Sequence, residues 1–264
     1  MSELKSMSSN GSSPATPNSP ERRRFIGAAT ATAAGLAIAP GVMLYEVAHG
    51  RSEEQAASGA VRWGMLVDAT KCATGCNDCV SACSTENGWT PVAESKHPRQ
   101  APQWIRKLEL QDPLTQMETN LPMMCQHCAE PPCVDVCPTG ASFKRADGIV
   151  LVNRHTCIGC RYCMMACPYK ARSLVHESLN DTQKADVPRG IGCVESCTLC
   201  VQKVDRGDGN TACAEACTAA GHNALLFGDM NDPESEISKR LRELPTKQVR
   251  ADLNLNLGVR YHGI

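Results

Sequence analysis

The 264-residue chain carries 27 Lys and Arg against 28 Asp and Glu, a formal charge of −1, so it lacks the basic excess that a nucleic-acid partner would require. Phe, Tyr and Trp make up only 4% of it while cysteine occupies 17 positions, which excludes an ordinary aromatic core and points to an interior held together by metal. Once a leader is removed, the remaining length suits one compact unit.

Residues 1–20 are rich in Ser, Pro and Asn with no apolar periodicity, the composition of a solvated tail. Glu21-Arg22-Arg23-Arg24-Phe25-Ile26-Gly27 follows, and then an uncharged run to Tyr45. This resembles a twin-arginine export signal with Arg22 and Arg23 as the pair, departing from the usual pattern at Glu21 and Gly27. The 21 uncharged residues from Phe25 to Tyr45 could also span a bilayer as a retained anchor. Gly, Thr and Pro40 make the run only weakly apolar, so cleavage between Ala48 and Ala60 is the expectation. We therefore expect a disordered tail and signal at 1–49, a linker at 50–61, a four-cluster domain at 62–238 and a C-terminal extension at 239–264, with the protein in the periplasm. A periplasmic chain this rich in cysteine would otherwise read as a disulfide framework. Export in the folded state lets clusters be inserted beforehand in the reducing cytoplasm.

A short strand over Gly64–Asp68 feeds the first cysteine group, Cys72, Cys76, Cys79 and Cys83, spaced C-x3-C-x2-C-x3-C. The second group is Cys125, Cys128, Cys133 and Cys137, with Pro138 behind it. A second strand over Val150–Asn153 stands at the same offset before the third group, Cys157, Cys160, Cys163 and Cys167, followed by Pro168. That third spacing, C-x2-C-x2-C-x3-C-P, is the bacterial ferredoxin run and the most specific signal in the chain. The fourth group, Cys197, Cys200, Cys213 and Cys217, has twelve residues interposed in its middle. Asp68 and Asn153 hold equivalent turn-starting places, and Ala141–Lys144 and Ala224–Phe227 are candidate return strands. The fold class is α+β: two nested ferredoxin-like units with short strands, short helices and long loops, binding four [4Fe–4S] clusters.

Three thiolates of a C-x2-C-x2-C loop curl around one corner of a cubane while the intervening N–H groups point at sulfur. The fourth cysteine falls beyond reach on the helix that follows, and Pro after it turns the chain away. The groups are therefore expected to pair and exchange their last ligands. Structural zinc, which would make the chain an assembly module, explains neither sixteen cysteines in four quartets nor the ferredoxin run. Cys193 is left over and reads as a buried free thiol rather than a substitute ligand. His127 reads as a surface or hydrogen-bonding residue, and Met164 and Met165 as packing against a cluster. Arg161, Tyr162 and Lys170 are candidates for tuning a potential, and Glu195, Asp205 and Asp208 show no acid/base spacing. There is no nucleophile motif, phosphate loop or dinucleotide fingerprint, and no catalytic residue is assigned.

Cys125-Gln126-His127-Cys128-Ala129-Glu130-Pro131-Pro132-Cys133, Cys137-Pro138-Thr139-Gly140-Ala141 and the run Cys157 to Tyr169 resemble the four-cluster ferredoxin subunits of the DMSO reductase and polysulfide reductase type. The resemblance extends from Arg62 to about Ser238 and implies a definite exchange. One cluster takes Cys72, Cys76, Cys79 and Cys217, and its partner Cys83, Cys197, Cys200 and Cys213. The other pair takes Cys125, Cys128, Cys133 and Cys167, and Cys137, Cys157, Cys160 and Cys163. The C-x3-C opening at Cys72 departs from the family's commoner C-x2-C. Within the family, the leader, the Cys72–Cys79 opening and the absence of a C-terminal membrane helix look most like the periplasmic iron–sulfur subunits of membrane complexes linked to dissimilatory sulfite reductase. That likeness implies single-electron transfer between an integral membrane quinone-interacting subunit and a periplasmic multihaem cytochrome c. The alternative is the iron–sulfur subunit of a periplasmic molybdopterin enzyme of the tetrathionate or polysulfide type.

Overall fold

Strand β1 (Trp63–Asp68) lies inside a four-stranded sheet of order β8-β1-β10-β9. Its apolar run Met65-Leu66-Val67 is buried on both faces, as a central strand requires. The computed structural model describes residues 57–179 and 183–264, and residues 51–264 cluster as one unit. The tail, the export signal and most of the linker fall outside the described residues. Among those described, no helix is long and apolar enough to cross a membrane.

The expected strands appear, with their partners now fixed. β8 (Leu225–Asp229) runs antiparallel to β1, and β10 (Val259–His262) runs parallel to it. β9 (Thr246–Lys247) closes the far edge against β10. Residues 239–264, read from sequence as an extension, thus supply two strands of the main sheet. They carry no cysteine, so a reading built on cysteine groups had nothing to anchor them with. Tyr261 on β10 is fully buried, and its hydroxyl accepts from Gln126 Nε2 at 3.0 Å, fastening the C-terminal strand to the second cysteine group. Gly64 permits this close packing, because a Cβ there would stand 2.6 Å from the carbonyl oxygen of Gly258.

The other strands form three two-stranded ribbons. β2 (Ile105–Gln111) pairs with β3 (Glu118–Met124), β4 (Ser142–Lys144) with β5 (Val150–Val152), and β6 (Ser173–Leu174) with β7 (Val194–Glu195). The helices are α1 (Asp78–Asn87), α2 (Pro132–Asp135), α3 (Tyr162–Ala166), α4 (Val201–Arg206), α5 (Ala212–Ala219) and α6 (Glu236–Glu243). α1 packs on α5, and α2 on α3. Each of these four helices carries a cysteine within it. Eight of the seventeen cysteines, among them Cys79, Cys83, Cys213 and Cys217, belong to the main buried core beside Met65, Trp104 and Tyr261.

Asp68 and Asn153 do start equivalent turns. Asp68 Oδ1 accepts from the Thr70 N–H at 3.2 Å, and Asn153 Oδ1 from the His155 N–H at 2.9 Å.

Candidate metal centres

The four cysteine loops share a backbone signature that their spacings conceal. In each, the residue immediately before the second cysteine has a positive φ: Gly75 at 76°, His127 at 43°, Gly159 at 69° and Leu199 at 52°. A left-handed residue at this point turns successive N–H groups toward one side and makes a concavity for negative charge. Two of the four are not glycine and carry a strain of about 1 kcal/mol each, which an unconstrained loop would shed.

Helix geometry explains how a last cysteine leaves its own loop. Cys79 and Cys83 on α1, and Cys213 and Cys217 on α5, stand four residues apart, so each pair lies along one helix face, one turn apart. With α1 against α5, Cys217 lines one cavity together with Cys72, Cys76 and Cys79. Cys83 lines another with Cys197, Cys200 and Cys213. The second and third groups behave alike. Cys137 lines a cavity with Cys157, Cys160 and Cys163. Around Cys128, burial and then the neighbouring sulfurs of Cys125, Cys133 and Cys167 push the thiol up to about 12. Thiols from different groups thus gather in fours.

These thiols suit ligation rather than free existence. All seventeen cysteines are free of disulfides. Burial is the first cause that raises Cys79, Cys125 and Cys213 to about 12, so bare they would stay protonated and inert at neutral pH. Iron would deprotonate them, and donors for sulfur are already in place. The N–H of Ser142 lies 3.3 Å from Cys137 Sγ, that of Ala224 3.2 Å from Cys217 Sγ and that of Leu199 3.4 Å from Cys197 Sγ. The first two are equivalent, since each comes from the start of the return strand after a last cysteine. Such bonds offset negative charge on the sulfur and raise a cluster's potential.

The longer C-x3-C opening has its own brace. Lys107 Nζ on β2 donates to the carbonyls of Ala73 and Cys76, while Asn120 Nδ2 on β3 donates to Thr74 Oγ1 at 2.9 Å. Asp78 and His222 each bring a ligand atom within 4.8 Å of Cys76 Sγ, so this quartet also has non-thiol neighbours. Burial is uneven. The Cys83 and Cys125 quartets are wholly buried, whereas Cys72, Cys76, Cys137, Cys157 and Cys160 are partly exposed.

Single residues meet their sequence reading unevenly. Of the two roles read for His127, the hydrogen-bonding one holds and the surface one does not: the ring is buried, its Nδ1 accepts from the Val150 N–H at 3.0 Å, and burial followed by Arg172 lowers it to about 3, so the ring is neutral. Cys193 is half-buried, its thiol 3.2 Å from the Arg154 carbonyl. Met164 packs against the small buried cluster that holds Cys133 and Cys163, whereas Met165 is 66% exposed. Tyr162 is 53% exposed and Arg161 and Lys170 are solvated, because the left-handed turns that curl the loop send them outward. Glu195 pairs in the interior with Arg189 at 2.7 Å. The basic residue that does enter the interior beside the thiols is Arg172, which no motif singles out. Only its place, immediately after a cysteine-rich run and before an apolar strand, could have signalled it.

Four thiol quartets, each cradled by a left-handed turn, define a carrier of multiple [4Fe–4S] clusters. Comparison with known proteins agrees. Two [4Fe–4S] dicluster domain families match, at residues 70–141 and 117–229, and together they span all sixteen quartet cysteines. The chain is 41% identical, over 91% of its length and 97% of the relative's, to the Hdr-like menaquinol oxidoreductase iron–sulfur subunit 1 of Archaeoglobus fulgidus. It is 39% identical to a tetrathionate reductase subunit of Salmonella typhimurium, over 69% of this chain and 64% of that one. Against the menaquinone reductase iron–sulfur cluster-binding subunit of Nitratidesulfovibrio vulgaris it is 35% identical, over 67% and 79%. The chain belongs to the family of oxidoreductase iron–sulfur subunits built on [4Fe–4S] dicluster domains, and its function is electron transfer.

Proposed function

We propose that the protein holds four [4Fe–4S] clusters in two nested pairs and passes single electrons along them. The ligand sets are Cys72, Cys76, Cys79 and Cys217; Cys83, Cys197, Cys200 and Cys213; Cys125, Cys128, Cys133 and Cys167; and Cys137, Cys157, Cys160 and Cys163. The observation that carries this is the cavity in which Cys217, from the last group, joins three cysteines of the first. Bound there, the clusters supply one-electron redox chemistry. The chain's own work is to hold the thiolates, offset their charge with N–H groups and keep water from the two inner quartets.

The setting we propose is a membrane complex linked to dissimilatory sulfite reductase, in which this chain is the periplasmic iron–sulfur subunit of the kind called DsrO in DsrMKJOP. It exchanges electrons with an integral membrane quinone-interacting subunit and a periplasmic multihaem cytochrome c. Residues 1–49 serve as a twin-arginine leader and 50–61 as a linker. The similarity to a menaquinol oxidoreductase subunit over nearly the full length of both chains supports a quinone-handling partner. The second reading, an iron–sulfur subunit of a molybdopterin enzyme, draws on the shorter match to the tetrathionate reductase subunit.

The test is anaerobic purification of the native complex with metal analysis. About sixteen iron and sixteen sulfide per chain are expected from four cubanes, with c-type haem and without molybdenum. Molybdenum without haem would establish the second reading. About half the iron would overturn the four-cluster assignment.

A further inference from the structure

Arg172 is the odd charge of the interior. It is only 5% exposed, yet none of its three guanidinium nitrogens has an oxygen or nitrogen partner among the described residues. Arginine does not give up its proton in proteins, and an unpaired buried charge costs several kcal/mol. A fold keeps such a group only where negative charge faces it. Arg145 shows the ordinary solution on the same chain, paired with Asp147 and Asp205 at 2.7 and 2.8 Å. Among the described residues, Arg172 has no carboxylate of that kind. The groups that act on it are the sulfurs of Cys133, Cys125 and Cys163; bare thiols there stay protonated, and ligation to iron would give them the negative charge that the guanidinium lacks. Cys125 and Cys133 belong to one proposed quartet and Cys163 to the other, and Cys133 and Cys163 sit on the packed helices α2 and α3. The guanidinium therefore faces two cluster sites at once.

We propose that Arg172 is a shared counter-charge for the Cys125 quartet and the Cys137 quartet, holding up the reduction potentials of both clusters together. The inference rests on the ligand sets of the preceding section. An electron entering either cluster adds one negative charge beside the guanidinium, so the fixed positive charge favours the reduced form at both sites. Arg172 is a positioning residue. It touches no substrate and acts through the field it places on two clusters.

The test is a redox titration of the full-chain holoprotein followed by electron paramagnetic resonance, with iron and sulfide measured first. Arg172→Met keeps the length and removes the charge. With iron content unchanged, it should move two of the four midpoint potentials downward by at least a tenfold change in equilibrium constant, about 59 mV for a one-electron couple, and leave the other two in place. Arg172→Lys should keep both near wild type. Unmoved potentials in a fully loaded Arg172→Met protein would overturn the proposal, as would a shift confined to one cluster. If Arg172→Met loses clusters, Arg172→Lys decides: retention of four clusters with wild-type potentials supports the charge role, and loss in both variants makes Arg172 a packing residue. A wild-type protein with fewer than four clusters would instead overturn the ligand sets, and this proposal with them.

Discussion

Cys217 shares a cavity with Cys72, although the second and third cysteine groups lie between them in the chain. A helix that presents cysteines four residues apart, packed on a second helix of the same kind, brings about this exchange. Cys217→Ser should therefore lower the iron by about a quarter, from about sixteen to about twelve atoms. It should remove one set of cluster signals while the Cys137 quartet keeps its own. Iron analysis with resonance spectra at low temperature checks this.

Cys193 lines none of the cavities that hold four cysteines, and its thiol donates to the main-chain oxygen of Arg154 at 3.2 Å. Cys193→Ser should leave iron and sulfide unchanged and alter stability by no more than about 1 kcal/mol. Denaturant unfolding of the loaded protein measures the second point.

Gly75 and Gly159 occupy equivalent left-handed positions with different surroundings. A Cβ at Gly75 meets nothing within 4 Å, whereas one at Gly159 would stand 2.3 Å from the Gly192 carbonyl oxygen. Gly75→Ala should cost about 1 kcal/mol and keep its cluster. Gly159→Ala should displace its loop and lose the iron of the Cys137 quartet, since backbone cannot move aside as a flexible side chain can. Iron content of the two variants, prepared side by side, checks the contrast.

Arg189 and Glu195 form a buried bidentate pair, with Nη1 of Arg189 also donating to the Gly88 carbonyl at 2.7 Å. The arginine thereby ties the chain before the fourth cysteine group to the end of α1. Removing it strands a buried carboxylate, so Arg189→Leu should destabilise the protein by about 3–5 kcal/mol. Urea titration followed by circular dichroism gives the value.

Because quartet cysteines make up much of the core, metal removal should act on the fold as well as on electron transfer. Anaerobic treatment with a strong iron chelator should collapse near-ultraviolet circular dichroism together with cluster absorption, in one transition. Retention of native tertiary signals by the iron-free chain would show that side-chain packing suffices.

Spacing and composition alone determined the class of cofactor, because thiolates must recur at intervals a cubane can reach. They also placed the strands that feed the cysteine loops, since an apolar run before each loop has nowhere to go but the core. What they could not decide was anything set by contact between distant segments. Tyr261 and β10 enter the central sheet without a cysteine to announce them. Arg161 and Lys170 sit as near the ferredoxin run as Arg172 does, yet only Arg172 is buried, because left-handed backbone turns the other two outward before β6 begins. Which arginine faces a cluster depends on the path of the folded chain through three dimensions, and local sequence does not encode that path.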